Sequence, residues 1–400
     1  MSLLDLLSDE NVWLRFYEYK TSLISRSSFQ KELLSFIKNK GYLPVCKMIK
    51  NNEPFPLPSR AVINKNNGKK KRVVYTYPYD ENMVLKLLTH LILRKYDYLF
   101  CDGLYSFRPS RCAKDAVKKF IRDKSLRNSY FYKADISNYF NSVPVPRLTA
   151  ILRSVMSDDN ELCGFLCALL EEKHVKDKEN IIGDNKGIMA GTPLSAFYAN
   201  LYLMSLDKWF SKRNIRYARY SDDIIVFSQD ESSVKEYAAH ISEFLNGYGL
   251  EINHEKECFG NSADGWTFLG FSCKDGKTDI SPVTVKKIKA KMRRKTRSLR
   301  RWQLRNGLDG EKSAAAFIRI FNKKLLESPD DNELSWSCWF FSVINTAESL
   351  KIIDRYAQDC IRYLISGKHT KSRFNVRYED MKLLGYKSLV HEYYSFSKGI

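Results

Sequence analysis

The stretch Arg219-Tyr220-Ser221-Asp222-Asp223-Ile224-Ile225-Val226-Phe227-Ser228 sets two adjacent carboxylates between two runs of strand-forming residues. Residues 215–219 lead in as an apolar-basic run, and residues 224–227 lead out β-branched and aromatic. Asp222 and Asp223 are therefore expected at the tip of a hairpin. Adjacent aspartates repel. Crowding them is unfavourable unless a cation neutralises the charge, and hard oxygen ligands of this kind suit Mg²⁺ or Mn²⁺. An ordinary acidic turn accounts for the same residues, because Asp is common in turns for reasons unrelated to metals.

The rest of the chain bears on that choice. With 400 residues and 44% hydrophobic content it can bury a substantial core, as two or three domains or one multi-lobed unit. A net charge of +20 calls for a polyanionic partner, and with 13% aromatic residues to stack on bases, nucleic acid is the favoured one. The nine cysteines show no C-x-x-C pair and no histidine at finger spacing. They are expected to be reduced, and with no secretory signal at the N-terminus the chain is expected to be cytoplasmic. No apolar run approaches the length of a membrane span.

In chain order, residues 12–48 carry a helical period, and Pro54, Pro56 and Pro58 then break it. Asn66, Asn67 and Gly68 favour a hairpin turn, with Lys69, Lys70, Lys71 and Arg72 on the returning strand. That cluster is either a solvated charge run or a grip on a triphosphate. Residues 130–136 predict a short strand with Asp135 at its end, a position open to a sheet-edge site or to a helix cap. Residues 183–193 form a loop bearing Gly183, Gly187 and Gly191, and residues 195–209 start a strong helix. Residues 232–248 predict another helix, ended by Gly249. The run W-T-F-L-G-F over residues 266–271 predicts one short aromatic strand, at least two of its rings in the core. From Lys286 to Arg305 basic residues crowd a helical stretch without Asp or Glu, which predicts a surface that tracks phosphates.

Taken together, this order resembles the reverse transcriptase family, and in particular its prokaryotic branch of group II intron, retron and antiphage-defence enzymes. The most specific pieces are F-Y-K-A-D-I-S-N-Y-F ending at Phe140, A-N-L-Y-L from Ala199, R-Y-S-D-D-I-I-V-F-S from Arg219 and F-L-G-F from Phe268. The resemblance implies an α+β right-hand polymerase, with fingers and palm of antiparallel sheet and helices followed by an α-helical thumb. The corresponding divisions are residues 1–53 as a helical extension, 54–281 as fingers and palm, and 282–400 as a basic thumb and C-terminal region. It further implies that Asp135, Asp222 and Asp223 hold two Mg²⁺ ions, Mn²⁺ being the alternative. Phe140 would lie beneath the sugar and crowd a 2′-hydroxyl. Lys71 and Arg72, with Lys69 as helper, would grip the triphosphate of a dNTP, and Lys256 would protonate pyrophosphate. Phe268 to Phe271 would be the primer grip.

Two departures stand out. Many relatives read Pro-Gln-Gly where this chain reads Met189-Ala190-Gly191, so Ala190 has no amide to offer near the incoming sugar. Many also carry alanine where Ser221 stands. No RNase H, HNH or zinc-finger region follows the thumb, which argues against a self-sufficient mobile intron protein. The function expected is RNA-directed synthesis of cDNA from dNTPs on an associated structured non-coding RNA, in antiphage defence, with room for a partner protein or homo-oligomer. The alternatives are a template-independent DNA polymerase, an RNA-binding intron maturase, and an RNA-dependent RNA polymerase, against which Phe140 argues.

Overall fold

The computed structural model describes residues 2–23, 27–65, 70–327 and 336–398. Its strands are β1 (Ser59–Lys65), β2 (Lys70–Thr76), β3 (Tyr130–Asp135), β4 (His174–Asp177), β5 (Asn180–Gly183), β6 (Arg216–Tyr220), β7 (Asp223–Ser228), β8 (Cys258–Asn261), β9 (Trp266–Phe268), β10 (Phe271–Lys274) and β11 (Lys277–Ile280). They form three sheets in the orders β2-β1-β4-β5, β6-β7-β3-β8 and β11-β10-β9. Every pairing is antiparallel except the single parallel contact of β1 with β4. The chain divides into two compact units, the first of Met1–Thr21, Arg26–Ala116 and Asn128–Asn261, the second of Ser22–Ser25, Val117–Arg127 and Ser262–Ile400.

In the first unit the N-terminal helical period resolves into helices Glu10–Leu23, Ser27–Lys38 and Tyr42–Lys50. Trp13 anchors them: its ring stacks on Tyr42 at 5.1 Å, and its Nε1 donates to the Leu7 carbonyl at 2.7 Å. β1 and β2 pair in register from Ser59↔Thr76 to Lys65↔Lys70, and the expected Asn66-Asn67-Gly68-Lys69 turn lies outside the described residues. In the sheet containing the acidic turn, Ile224 to Phe227 of β7 are all buried, so β7 is not half-exposed. Helix Glu231–Gly247 lies on β3 and β7. A strand covered on both faces reads as a continuous apolar run and not as an alternation.

The second unit corrects one expectation. W-T-F-L-G-F is a hairpin, not one strand: Phe268 pairs with Phe271 across the two residues Leu269 (φ 49°) and Gly270 (φ 90°). Positive φ at both central positions is the turn geometry whose twist matches that of two paired strands. Trp266, Phe268 and Phe271 are buried, as the core reading of this run expects. Helix Pro282–Arg305 begins at Ser281, whose hydroxyl accepts from the Thr284 amide at 3.3 Å, and buries only Val285, Ile288, Met292, Thr296, Leu299 and Gln303. One narrow stripe thus seats the helix, and nearly all its cations stay outside the core. Across the unit, buried Asp354 accepts from the hydroxyls of Tyr386 and Ser388 and from the amides of Leu389 and Val390, joining helices Glu348–Ser366 and Leu389–Lys398.

Candidate active site

The acidic turn is built by the strands beside it. Tyr220 pairs with Asp223, leaving Ser221 and Asp222 as the connection, with Ser221 at φ 60°. A left-handed residue other than glycine costs roughly 1–3 kcal/mol and persists only where its surroundings hold it. The neighbouring strand supplies part of that hold. Asp135 stands directly across from Asp223 at the end of β3, and the Ile136 amide donates to the Asp222 carbonyl at 3.1 Å. On the other side of β3 the Ser137 amide donates to the Glu251 carbonyl at 2.8 Å, and the Asn253 amide donates to the Asp135 carbonyl at 2.7 Å. Three carboxylates from two strands and a turn thus converge on one sheet end.

Behind the turn lies Arg219, fully buried. Its guanidinium forks onto Asp207 (Nε to Oδ1 2.8 Å, Nη2 to Oδ2 2.6 Å) and also donates to the Ser221 carbonyl at 3.1 Å and the Asn200 carbonyl at 3.2 Å. Tyr217 donates its hydroxyl to the same Asp207 at 2.9 Å. The pair offsets the burial cost of each charge and raises the Arg219 pKa. Asn200 is held in turn by Ser106, through the Ser106 hydroxyl at 2.9 Å and its carbonyl at 2.7 Å.

The carboxylates are electrostatically uneasy. Burial first, and then the Asp135 charge, raises the pKa of Asp222. Burial, then Asp222 and Asp135, push Asp223 up to about 6. Asp135 accepts from the Lys256 ammonium at 2.6 Å and from the Asn253 side-chain amide at 3.3 Å. Among the described residues no three His, Cys, Asp or Glu side chains already form a ready ligand group. The donors nevertheless fit a hard divalent cation by their chemistry: three like-charged oxygen ligands, two with raised pKa, with a lysine ammonium supplying positive charge at the third.

The remaining sequence-predicted residues divide. Arg72 reaches the site, its guanidinium carbon 5.8 Å from the Phe140 ring centroid, and Phe140 is half-buried. Lys71 is exposed on β2, where successive side chains point to opposite faces, and Lys69 lies outside the described residues. Ala190 is buried and engaged through its backbone: its carbonyl accepts from the Tyr75 amide at 2.8 Å and its amide donates to the Asn141 side chain at 3.3 Å. Asn141 also donates to the Val73 carbonyl at 3.2 Å, so one amide side chain ties β2, the glycine loop and the residue after Phe140. The loop fits against that segment because Gly187 (φ 52°) has no side chain; a Cβ there would lie 2.5 Å from the Phe140 carbonyl. Lys186, just before it, is buried, and its ammonium donates to the Leu169 carbonyl at 3.5 Å. Asp207, Asn141 and Asn253 do not stand out in the sequence. Arg219 opens the motif R-Y-S-D-D, but nothing there marks it as buried or names Asp207 as its partner.

The family described as Reverse transcriptase (RNA-dependent DNA polymerase) matches residues 63–273, more than half of the chain. The chain is thereby of the α+β right-hand polymerase class. It belongs to the reverse transcriptase family. It is 22% identical over 182 residues to the group II intron-encoded protein LtrA of Lactococcus lactis subsp. cremoris, covering 45% of this chain and 30% of that protein. It is 28% identical over 155 residues to an uncharacterized 91 kDa protein in the cob intron of Schizosaccharomyces pombe, covering 38% of this chain and 18% of the other. The chain therefore spans less than a third of the length of these relatives. A solved apo telomerase from Candida tropicalis aligns at TM-score 0.47 and 12% identity, over 83% of this chain and 69% of that one.

Two outcomes follow from this geometry. Asp207→Asn keeps the shape but leaves Arg219 with a buried, uncompensated charge. It is expected to lower stability by about 3–5 kcal/mol in urea unfolding, more than Asp→Asn changes at exposed positions. Burial holds the Lys186 ammonium down at about 8 against an ordinary 10.5. Between those values the unfolded chain binds more protons than the native one, so stability should rise as pH increases from about 8 to 10. Lys186→Met should flatten that part of the stability profile.

Proposed function

We propose that this protein is a cytoplasmic RNA-directed DNA polymerase that makes cDNA from dNTPs by two-metal-ion nucleotidyl transfer. We further propose that it copies an associated structured non-coding RNA in antiphage defence. The observation that carries the reading is the pairing of Asp135 with Asp223 across β3 and β7, with Asp222 in the adjoining turn. The defence setting and the RNA partner are supported by the resemblance in motif order, and the RNA also by the net charge of +20.

In this reaction the primer 3′-oxygen forms a bond to the α-phosphorus of the dNTP, the bond to the β-phosphate oxygen breaks, and the hydroxyl proton is lost. Asp135, Asp222 and Asp223 are the residues that would hold Mg²⁺ or Mn²⁺. When bound, such ions activate the 3′-hydroxyl and neutralise charge on the α-phosphate and leaving pyrophosphate. Arg72, which meets Phe140, would take triphosphate oxygens. Lys256, now against Asp135, would turn to the pyrophosphate and donate a proton. Phe140 would sit under the sugar and exclude a 2′-hydroxyl. Its position is supported by the Asn141 and Gly187 contacts that fix the segment on either side.

A second reading is supported by Ala190. With both backbone groups engaged and no side-chain amide, position 190 offers an incoming nucleotide no polar side chain, which suits synthesis with little or no template. Sequencing the DNA product against the co-purifying RNA separates the two.

Purified protein with its co-purifying RNA, Mg²⁺ and dNTPs should make labelled DNA, and Asp222→Ala combined with Asp223→Ala should abolish it. Labelled product from the double variant would overturn the assignment. For Phe140→Ala, the ratio of rNTP to dNTP kcat/KM should rise by about tenfold or more; an unchanged ratio would remove the sugar-gate role.

A further inference from the structure

The second unit contains a pocket that polymerase chemistry leaves unused. Between helices Pro282–Arg305 and Glu348–Ser366, the side chains of Arg293, Arg297, Asp359, Tyr363, His369 and Arg373 line a cavity of about 260 Å³. Positive charge there exceeds negative. The Asp359 carboxylate serves both Arg373, at 3.6 Å, and Arg362, at 3.7 Å. Both distances are well beyond the roughly 2.7–2.9 Å of a tight charge-assisted hydrogen bond. Arg293 and Arg297, one helical turn apart, make no hydrogen bond or ion pair among the described residues. Arg373 donates through Nη1 to the His369 carbonyl at 2.9 Å, while its buried Nε has no partner among the described residues. The His369 ring stacks on Tyr363 at 4.2 Å, the two planes 16° apart.

We propose that this pocket binds a terminal phosphate monoester of a nucleotide. A phosphate monoester carries about −1.5 to −2 charge near neutral pH, more than the single charge of an internal phosphodiester, and so matches a local excess of guanidinium over carboxylate better. Guanidinium forks also present paired donors to such an oxyanion. The volume selects in the same direction. At roughly 30 Å³ per water molecule it corresponds to about nine waters, room for a terminal phosphate and part of its sugar but not for a run of nucleotides, which leaves the base at the pocket's mouth. The Tyr363–His369 stack supplies a ring surface for a base. Every lining residue lies in the second unit, so phosphate binding here does not depend on the carboxylates of the first.

The test uses the full-length protein and three single strands of the same four-nucleotide sequence, bearing a 5′-phosphate, a 3′-phosphate or neither. A phosphate at one end should tighten binding by about tenfold or more, as expected for charge-assisted hydrogen bonds. Arg293→Ala combined with Arg297→Ala, two exposed residues, should erase that gain, so that the variant binds the three strands alike whatever affinity all three lose together. The gain should persist in the Asp222→Ala, Asp223→Ala protein, whatever that variant does to DNA synthesis. AMP competing as well as the phosphorylated strand assigns the pocket to free nucleotides; failure of AMP to compete assigns it to strand ends. Equal affinity for all three strands, or a phosphate-dependent gain that survives the arginine substitutions, would overturn the proposal.

Discussion

The first unit depends on one buried ion pair. Arg219 and Asp207 are both almost wholly removed from solvent, a costly arrangement that pays only if geometry is good and every remaining donor is used. Here it is. Besides the fork onto Asp207, the guanidinium takes the Ser221 carbonyl in the acidic turn and the Asn200 carbonyl near the end of helix Ser195–Tyr202. Carbonyls in the last turn of a helix lack intrahelical partners, and a cation there is favoured by the helix dipole. The same side chain therefore closes a helix and braces a hairpin. The backbone of Arg219 adds a third tie, its amide donating to the Gly103 carbonyl and its carbonyl accepting from the Tyr105 amide.

A second set of constraints is made almost wholly of backbone. Asn138 enters the left-handed region at φ 45°, which turns the chain sharply between Asp135 and the short helix Tyr139–Ser142. Tyr139 is pinned to the Ala199 carbonyl at 2.6 Å, and the Phe140 carbonyl accepts from the Ile188 amide at 2.8 Å. Neighbouring positions thus face different partners, one the helix behind the sheet and the other the glycine loop. The Phe140 ring inherits its placement from both, and Arg72 meets it from β2.

What can be read from the sequence follows from how local each signal is. The hairpin over Tyr220 to Asp223 and the strand end at Asp135 are legible because turn chemistry and apolar patterning lie within a few residues of each other. Arg219 is not. Its charge says outward while its place in the alternation says inward, and Asp207, the partner that resolves the conflict, sits on a helix where an aspartate has no distinguishing mark. The Leu269-Gly270 turn is hidden for a related reason: leucine is not a turn residue, and aromatic residues on both sides suggest an unbroken strand. The basic run ending at Arg72 reads as one grip, yet a strand separates neighbouring side chains, and Arg72 is the one that meets Phe140. Asn141 leaves no trace, since an asparagine that joins three backbone segments looks like any other polar residue in a short helix.

The brevity of the connection between β6 and β7 has a further consequence, for the register of the sheet. Side chains along a strand alternate with a strict period of two, so adding or deleting one residue between Tyr220 and Asp223 would rotate every following position of β7 to the opposite face. Asp223 would then turn away from Asp135, and on a deletion Ile224 would take its place beside the carboxylate. A change of residue type in this hairpin leaves the register intact, whereas a change of length that shifts the pairing does not. The two-residue connection thus acts as a ruler that sets which residue of β7 stands beside Asp135.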